Sequence, residues 1–384
     1  MLVVSINLRG PIAAVSPVLP QMRADLSMGP GAAGLLTTLP VLCFALASSA
    51  VLALYRRTGA EMAVVLSLVV LAVGTLIRSA PTGSAVPALV GTVVIGLAIT
   101  VGNVIVPVVV KRDFGHRSAV VIGLYTASLS TGAGITAALT APIAAVTGWR
   151  WALLSWDALL VLAVLLWLPA LLRHRRDGSP APPVAQRNGS MWRDRTALAL
   201  ALLFGTQSTL YYSMTAWLPS LLRSPPDSGG VRLAEGTAGV ALSALQLIGI
   251  VGSLLVPALV GRGRDQRWLG VCIAAGWATT LAGLGLAPQL WPLWLLVGGL
   301  SQGGGISYAF ALLVLRSRND QAAARLSGFA QMVGYAIAAA GPVLVGSIFD
   351  ATGHWGPGLG MLTAVAVIMG GSSWVAGRRT TVSA

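Results

Sequence analysis

The stretch Gly178-Ser179-Pro180-Ala181-Pro182-Pro183 separates two halves of the chain that are alike in length and hydropathy. It lies in the longest connection between apolar segments, at residues 172–195, where arginines flank it. Proline, glycine and serine beside charged residues are typical of a linker between domains. Six apolar segments precede this connection and six follow it. The sequence therefore predicts an N-terminal six-helix bundle at 1–171, a linker at 172–195 and a C-terminal six-helix bundle at 196–384.

The composition is that of an integral membrane protein. Of 384 residues, 55% are hydrophobic and only 9% are charged, whereas a soluble protein carries about 25% charged residues. A membrane-spanning helix needs about 20 apolar residues, and twelve stretches meet or approach that length. We predict an all-α membrane protein with spans at 2–22, 34–54, 62–78, 86–110, 118–146, 151–171, 196–222, 237–260, 268–287, 291–315, 324–349 and 356–376.

The 25 Lys and Arg residues give a net charge of +14 and lie mainly in short connections between the spans. With the N-terminus inside, 19 of them fall on one side and five on the other. The positive-inside rule explains this asymmetry better than a nucleic-acid partner does. We expect a multi-pass protein of the cytoplasmic membrane, with both termini and the linker in the cytoplasm. The five basic residues expected on the outer side are Arg23, Arg78, Arg150, Arg223 and Arg232.

The two halves also repeat internally at one offset. Four pairs of matching residues, from the second span to the end of the eleventh, are each separated by 205 positions. Parallel repeats of six spans predict two pseudo-symmetric bundles with a substrate site near the membrane midplane, between the halves. The pairs are Gly34 and Gly239, Pro87 and Pro292, Gly123 and Gly328, and Thr147-Gly148 and Thr352-Gly353.

Arg9 is the only charged side chain between Met1 and Pro20, within Ile6-Asn7-Leu8-Arg9-Gly10-Pro11-Ile12. Inserting such a group at membrane depth costs about 2.5–3.5 kcal/mol, so it usually faces a cavity or a polar partner. The alternative is that Arg9 snorkels to the cytoplasmic interface. Of eleven acidic residues only Asp157 lies within a span, and we expect it to pair with Arg150. Arg9 is then free to hold an anionic or strongly polar substrate bidentately.

Polar residues within the spans provide the rest of a predicted site. A stripe of small and polar side chains that includes Asn103 follows one face of the fourth span, and the offset maps Asn103 onto Tyr308. Each residue has an alternative role in interhelical hydrogen bonding. The predicted substrate-binding residues are Arg9, Asn103, Gln207, Tyr211, Tyr308 and Gln331, with Thr100, Thr126, Ser130, Gln246 and Tyr335 as secondary candidates.

Several motifs are spread over both halves of the chain. They are Asn7-Leu8-Arg9 with Pro17 and Leu19-Pro20, Gly34-Leu35-Leu36-Thr37-Thr38-Leu39-Pro40-Val41-Leu42-Cys43-Phe44, Gly102-Asn103-Val104 with Pro107 and Val110-Lys111-Arg112, Gly123-Leu124-Tyr125-Thr126, Gly148-Trp149-Arg150-Trp151, and Ala216-Trp217-Leu218-Pro219. Together they resemble one subgroup of the major facilitator fold, the cyanate/nitroimidazole transporter family. The resemblance implies a monomeric secondary transporter of small polar or anionic solutes, such as cyanate, or of nitroimidazole-type compounds.

Three functions are consistent with a polytopic membrane protein. The favoured one is a secondary transporter that works by alternating access, with Arg9 as the anion anchor. The alternative within the same fold is a broad-specificity drug exporter. A membrane-embedded enzyme would need a nucleophile–base pair or a metal cluster at membrane depth, and all three histidines lie in connections. We therefore expect no enzymatic activity, metal or cofactor; the coupling ion, for which a proton is one candidate, is left open.

Overall fold

The computed structural model describes residues 1–28, 30–176, 190–260 and 265–382, and within them it contains helices and no strand. Most of the predicted linker at 172–195 falls outside the described residues. The α-helices are α1 (Leu2–Asn7), α2 (Gly10–Ala13), α3 (Val15–Asp25), α4 (Pro30–Arg78), α5 (Ala85–Phe114), α6 (Ser118–Thr147), α7 (Trp149–Leu154), α8 (Asp157–Arg176), α9 (Arg195–Arg223), α10 (Glu235–Val260), α11 (Arg267–Leu286), α12 (Trp291–Leu315), α13 (Asp320–Thr352) and α14 (Trp355–Ala376).

These helices form the twelve predicted spans. Helices α1–α3 make up the first span, α4 the second and third, α7 with α8 the sixth, and each remaining helix one span. Helix α4 holds two spans because Gly59, with φ 77°, interrupts it in a conformation that favours glycine. Ten segments in the described part of the chain are long and apolar enough to cross a membrane. The prediction of an all-α, twelve-helix membrane protein is confirmed.

Close helix packing depends on glycine at several crossings. A methyl group added to Gly132 of α6 would lie 2.1 Å from the carbonyl oxygen of Ile6 in α1. One added to Gly303 of α12 would lie 1.7 Å from the carbonyl oxygen of Gly249 in α10. Lipid supplies no hydrophobic force between helices, so dispersion contacts made possible by small residues hold such pairs together.

The two halves meet mainly toward one side of the molecule, which we call the basic side; it carries the connections at 111–117 and 316–319. Gly123 packs against Pro257 at the α6–α10 crossing, and Gly328 faces the carbonyl oxygen of Ser48 at the α13–α4 crossing. A large buried cluster runs through both halves. A smaller cluster of α3, α6 and α7, which includes Val18 and Trp149, contains only first-half residues among those described. The core is therefore continuous between halves except near the side opposite to the basic one.

The predicted pairing of Asp157 with Arg150 is wrong. Arg150 forms an ion pair with Asp25 at the end of α3, and Trp149 Nε1 donates to Asp25 Oδ2 at 3.0 Å. The hydrogen bond from Trp149 and the ion pair with Arg150 both lower the pKa of the Asp25 carboxyl. The prediction failed because the chain turns between α7 and α8, so spacing along one helix does not apply. Asp157 lies instead near Arg78, which is only 3% exposed and not in an open connection.

Candidate substrate site

The first span is broken at the predicted anion anchor. Helix α1 ends at Asn7, and Arg9 is the N-cap of α2 with φ −120° and ψ −24°. Pro11, in the first turn of α2, has no N–H to donate to the carbonyl of Asn7, and the loss of that hydrogen bond favours a break here. The Asn7 side chain instead donates from Nδ2 to the carbonyl oxygen of Leu159 in α8 at 3.2 Å. The sequence Asn-Leu-Arg-Gly-Pro thus places Arg9 at an irregular point inside the span.

Two further side chains donate hydrogen bonds to the backbone at this break. Thr136 Oγ1 of α6 donates to the carbonyl oxygen of Gly10 at 3.2 Å. Arg78 Nη1, from the end of α4, donates to the carbonyl oxygen of Pro11 at 2.8 Å. The Gly10 carbonyl also accepts from the backbone N–H of Ala14 at 2.9 Å, and buried backbone carbonyls require such partners. The backbone on the C-terminal side of Arg9 is therefore fixed by hydrogen bonds from two other spans.

The Arg9 side chain crosses from the first half to the second. Its guanidinium carbon lies 4.3 Å from the centroid of the Tyr211 ring in α9. Tyr125, Tyr212 and Tyr335 also lie close enough to interact electrostatically with the guanidinium. Arg9 therefore does not snorkel to the basic side. Four of the six tyrosines in the chain surround it.

Arg9 has no anionic partner among the described residues. Its Nη1 atom is buried and makes no hydrogen bond, while the side chain as a whole keeps intermediate exposure. A desolvated guanidinium above an aromatic face gains about 2 kcal/mol from cation–π attraction, which offsets only part of the cost of burial. The donor that Nη1 leaves unused is available to an incoming acceptor.

The tyrosines around Arg9 are held by packing and hydrogen bonds. Tyr211 and Tyr212 meet edge to face at 5.0 Å between centroids, and Tyr335 packs on Phe204 at 5.1 Å. Gln246 Nε2 of α10 donates to the Tyr211 hydroxyl at 3.0 Å. The aromatic surface beside the guanidinium is thereby fixed in orientation. Such a surface can stack on a planar molecule.

Asn103 and Gln331 lie beside this group and join the halves. Asn103 Oδ1 accepts a hydrogen bond from the Tyr125 hydroxyl at 3.3 Å. The Asn103 carbonyl accepts from Gln331 Nε2 of α13 at 3.1 Å. Gln331 Oε1 is buried without a partner. The structure thus brings these two predicted residues to the tyrosines that surround Arg9.

Two other predicted residues point elsewhere. Gln207 donates from Nε2 to the carbonyl of Gln302 at 3.1 Å, and its Oε1 accepts from Trp277 Nε1 at 3.0 Å. Both ends of this amide are therefore satisfied within the second half. The Tyr308 hydroxyl donates to the carbonyl of Gln266 at 3.0 Å. The structure does not bring Gln207 or Tyr308 to Arg9.

The secondary candidates also divide. Gln246 and Tyr335 contact the tyrosine group as described. Thr100 and Thr126 donate to carbonyls of their own helices, at 2.7 Å to Gly96 and 3.0 Å to Ile122. The Ser130 hydroxyl is buried without a hydrogen-bond partner.

Sequence reasoning missed Tyr125 and Tyr212. Tyr212 follows Tyr211 directly and therefore lies on a different face of the helix. Tyr125 belongs to the motif Gly123-Leu124-Tyr125-Thr126. The signal that could have found both is the concentration of tyrosine near the middle of the spans, where an aromatic hydroxyl needs a polar neighbour.

Two tyrosine variants test which tyrosines belong to the site. We expect Tyr211→Leu to weaken anion binding about tenfold, because it removes the ring beside Arg9 on which a planar anion can stack and leaves Gln246 without its hydroxyl partner. Tyr308→Phe removes a hydroxyl that bonds Gln266, so affinity should stay within about twofold of wild type. Isothermal titration of the purified protein with benzoate, a planar carboxylate used as the probe, measures the affinity of both variants. Equal losses in the two variants would contradict this assignment.

Comparison with known proteins agrees with the fold. The Major Facilitator Superfamily profile matches residues 2–342. The chain is 38% identical over 98% of its length to the uncharacterized transporter YycB of Bacillus subtilis (strain 168), of which it covers 92%. It is 34% identical over 98% of its length to the 2-nitroimidazole transporter of Escherichia coli (strain K12), and covers 94% of that protein.

A more distant relative and a solved structure extend the comparison. The cyanate transport protein CynX of Escherichia coli (strain K12) is 30% identical over 92% of the chain, which covers 90% of CynX. The structure of the proton:xylose symporter XylE superposes with a TM-score of 0.79 at 12% identity, covering 100% of this chain and 96% of XylE. That likeness concerns the fold alone. The chain therefore belongs to the Major Facilitator Superfamily, in the same family as the nitroimidazole and cyanate transporters, and it is a transporter and not an enzyme.

Proposed function

We propose that this protein is a secondary transporter of a small planar anion, or of a strongly polar planar compound, and that Arg9 anchors the substrate. The observation that carries the proposal is the buried, unpartnered Nη1 of Arg9 among four tyrosines, with no carboxylate partner among the residues that the structure describes. A guanidinium binds carboxylate-like groups through two parallel hydrogen bonds. The tyrosine rings accept the flat remainder of the molecule. The proposal requires no binding site other than this one.

The substrate class is supported by the names of two relatives. Cyanate is a small linear anion, and 2-nitroimidazole carries a planar nitro group on an aromatic ring. Both present oxygen or nitrogen acceptors that a guanidinium can bind, and the second can also stack on tyrosine. Arg9, Tyr211, Asn103 and Gln331 are the predicted residues that we retain for this site, with Gln246 and Tyr335 beside them.

Alternating access is supported by where the halves touch. Lys111 Nζ of the first half donates to the carbonyl of Val314 in the second at 3.1 Å, on the basic side. The first-half cluster that contains Val18 lies toward the opposite side. We infer that the bundles at 1–171 and 196–384 move against each other about the site, with 172–195 as their link. In this arrangement the basic side is closed.

The orientation and assembly follow from the same proposal. The basic side would face the cytoplasm of a cytoplasmic membrane, so this conformation would expose the site outward. Both termini would then lie in the cytoplasm. Each chain contains a complete site between its own halves, and we propose that the monomer is the functional unit.

The test is a ligand panel on the purified protein and on proteoliposomes. We expect cyanate, benzoate and 2-nitroimidazole to raise the melting temperature and to be transported, whereas the lipophilic cation ethidium does neither. Binding at about 100 times Kd adds about 2.7 kcal/mol to stability, which a thermal-shift assay resolves. Transport of ethidium without binding of any anion would instead support the drug-exporter alternative and overturn this proposal.

A further inference from the structure

A small cavity lies against the break in the first span. It is enclosed by α1, α2, α4, α6, α7 and α8. Arg78 and Asp157 are the only charged residues among those that line it. The polar and aromatic residues that line it are Asn7, Thr75, Arg78, Thr136, Trp156 and Asp157.

Arg78 connects this cavity to the substrate anchor. Its Nη1 donates to the carbonyl of Pro11, two residues from Arg9, while its Nε is buried without a hydrogen-bond partner. The side chain is 3% exposed. A change in the charge that faces Arg78 would therefore act on the backbone segment that carries Arg9.

Asp157 provides that facing charge. It begins α8, is partly buried, and lies near Arg78 and Thr75. No direct ion pair joins Asp157 to Arg78 in the part of the chain that the structure describes, and Arg150 is already paired with Asp25. From α1, α2, α6 and α7, only uncharged side chains face the cavity. The ionised form of Asp157 is thus opposed by burial and supported by a hydrogen bond with Thr75 and by the charge of Arg78.

We propose that Asp157 is the binding site of a coupling proton, which is released when the anion is released. The proposal rests on the function proposed above. A proton from water joins a carboxylate oxygen of Asp157 and forms the neutral acid, and deprotonation returns it to water when the anion leaves. Protonation removes one negative charge from the first half and so favours an anion at Arg9. Because linkage is reciprocal, the bound anion must equally favour the proton at Asp157.

Proton uptake on anion binding tests this directly. Isothermal titration of the purified, full-length protein with benzoate, in phosphate and in Tris, gives the number of protons taken up per benzoate bound. For the wild type we expect a maximum approaching one proton between pH 6 and pH 8, with affinity falling about fivefold or more over that range. For Asp157→Asn we expect no proton uptake and an affinity that no longer changes with pH. Asp227→Asn, at an exposed site in the other half of the molecule, is the matched control and should behave like wild type.

The other possible outcomes of these titrations distinguish failure of the proton site from failure of the proposed function. Proton uptake that persists in Asp157→Asn, or a wild type that binds benzoate without proton uptake, overturns the inference and leaves the proposed transport function intact. A wild type that binds neither benzoate nor cyanate overturns the proposed function itself. If Asp157→Asn does not fold, Asp157→Glu retains a carboxyl group, and its proton uptake should persist with a shifted pH range. The wild-type measurement alone can refute the proposal without any variant.

Discussion

Replacing Arg9 by glutamine is expected to lower substrate affinity and uptake about a hundredfold. The change removes two charge-assisted hydrogen bonds, worth together about 3 kcal/mol or more. The folded protein should remain, because a buried charge with an unpartnered nitrogen is replaced by a neutral group of similar length. Uptake of labelled benzoate into proteoliposomes and binding by titration measure the loss. Arg9→Lys keeps the charge but loses the planar guanidinium, so its affinity and uptake should lie between those of the wild type and of Arg9→Gln.

The matched control for Arg9 is Arg23→Gln. Arg23 lies near the end of the same span, and its side chain is exposed. Its replacement should leave affinity and uptake unchanged. Normal uptake by Arg9→Gln, with the control also normal, would remove Arg9 from the site. A melting temperature that collapses in Arg9→Gln would show that the residue is structural.

The largest expected loss of folded protein follows from Gly132→Val. Its Cβ would lie 2.1 Å from the carbonyl oxygen of Ile6, and the obstacle is backbone, which cannot turn aside as a side chain can. Overpacking of this kind costs about 3 kcal/mol or more, so the melting temperature should fall by about 10 °C. If helix α1 shifts to relieve the contact, Arg9 shifts with it and transport is lost as well. Fluorescence-detected size-exclusion after a heating series measures the first effect.

Gly360→Val provides the comparison for Gly132→Val. Gly360 lies within α14, and a Cβ there would meet no atom within 4 Å. The same substitution of a helical glycine by valine should therefore leave folding and uptake close to wild type. Similar losses at both positions would indicate helix propensity as the cause, and not the α1–α6 contact.

The fold was predictable from the sequence because it depends on properties that are local or periodic. The length of each apolar stretch predicts a membrane span, and the offset of 205 residues indicates the duplicated bundle. Arg9 was predictable for a similar reason, since a lone charge at membrane depth requires a polar partner or a cavity. These arguments need only the position of a residue along the chain.

The site was less predictable because it depends on side-chain direction. Internal symmetry relates the backbone positions of Asn103 and Tyr308, yet the Tyr308 ring points toward α11 and α14, where Gly270 leaves room for it. Tyr212 contributes although it is on a different helix face from its neighbour Tyr211. The turn between α7 and α8 likewise explains why Asp157 does not form the predicted pair with Arg150. Repeat symmetry and helix spacing carry no information on such local turns.

The unpaired guanidinium of Arg9 has an electrical consequence for a carrier of anions. With an anion bound, the Arg9 site is neutral; without one, it holds a full positive charge inside the membrane. Moving one elementary charge across a potential of 100 mV takes about 2.3 kcal/mol. Taken alone, Arg9 would make the return of the empty carrier the step that membrane voltage assists or opposes. Asp157, deprotonated in the empty carrier as proposed above, supplies a negative charge that compensates Arg9 in that step. Exchange of one anion for another would avoid that step altogether.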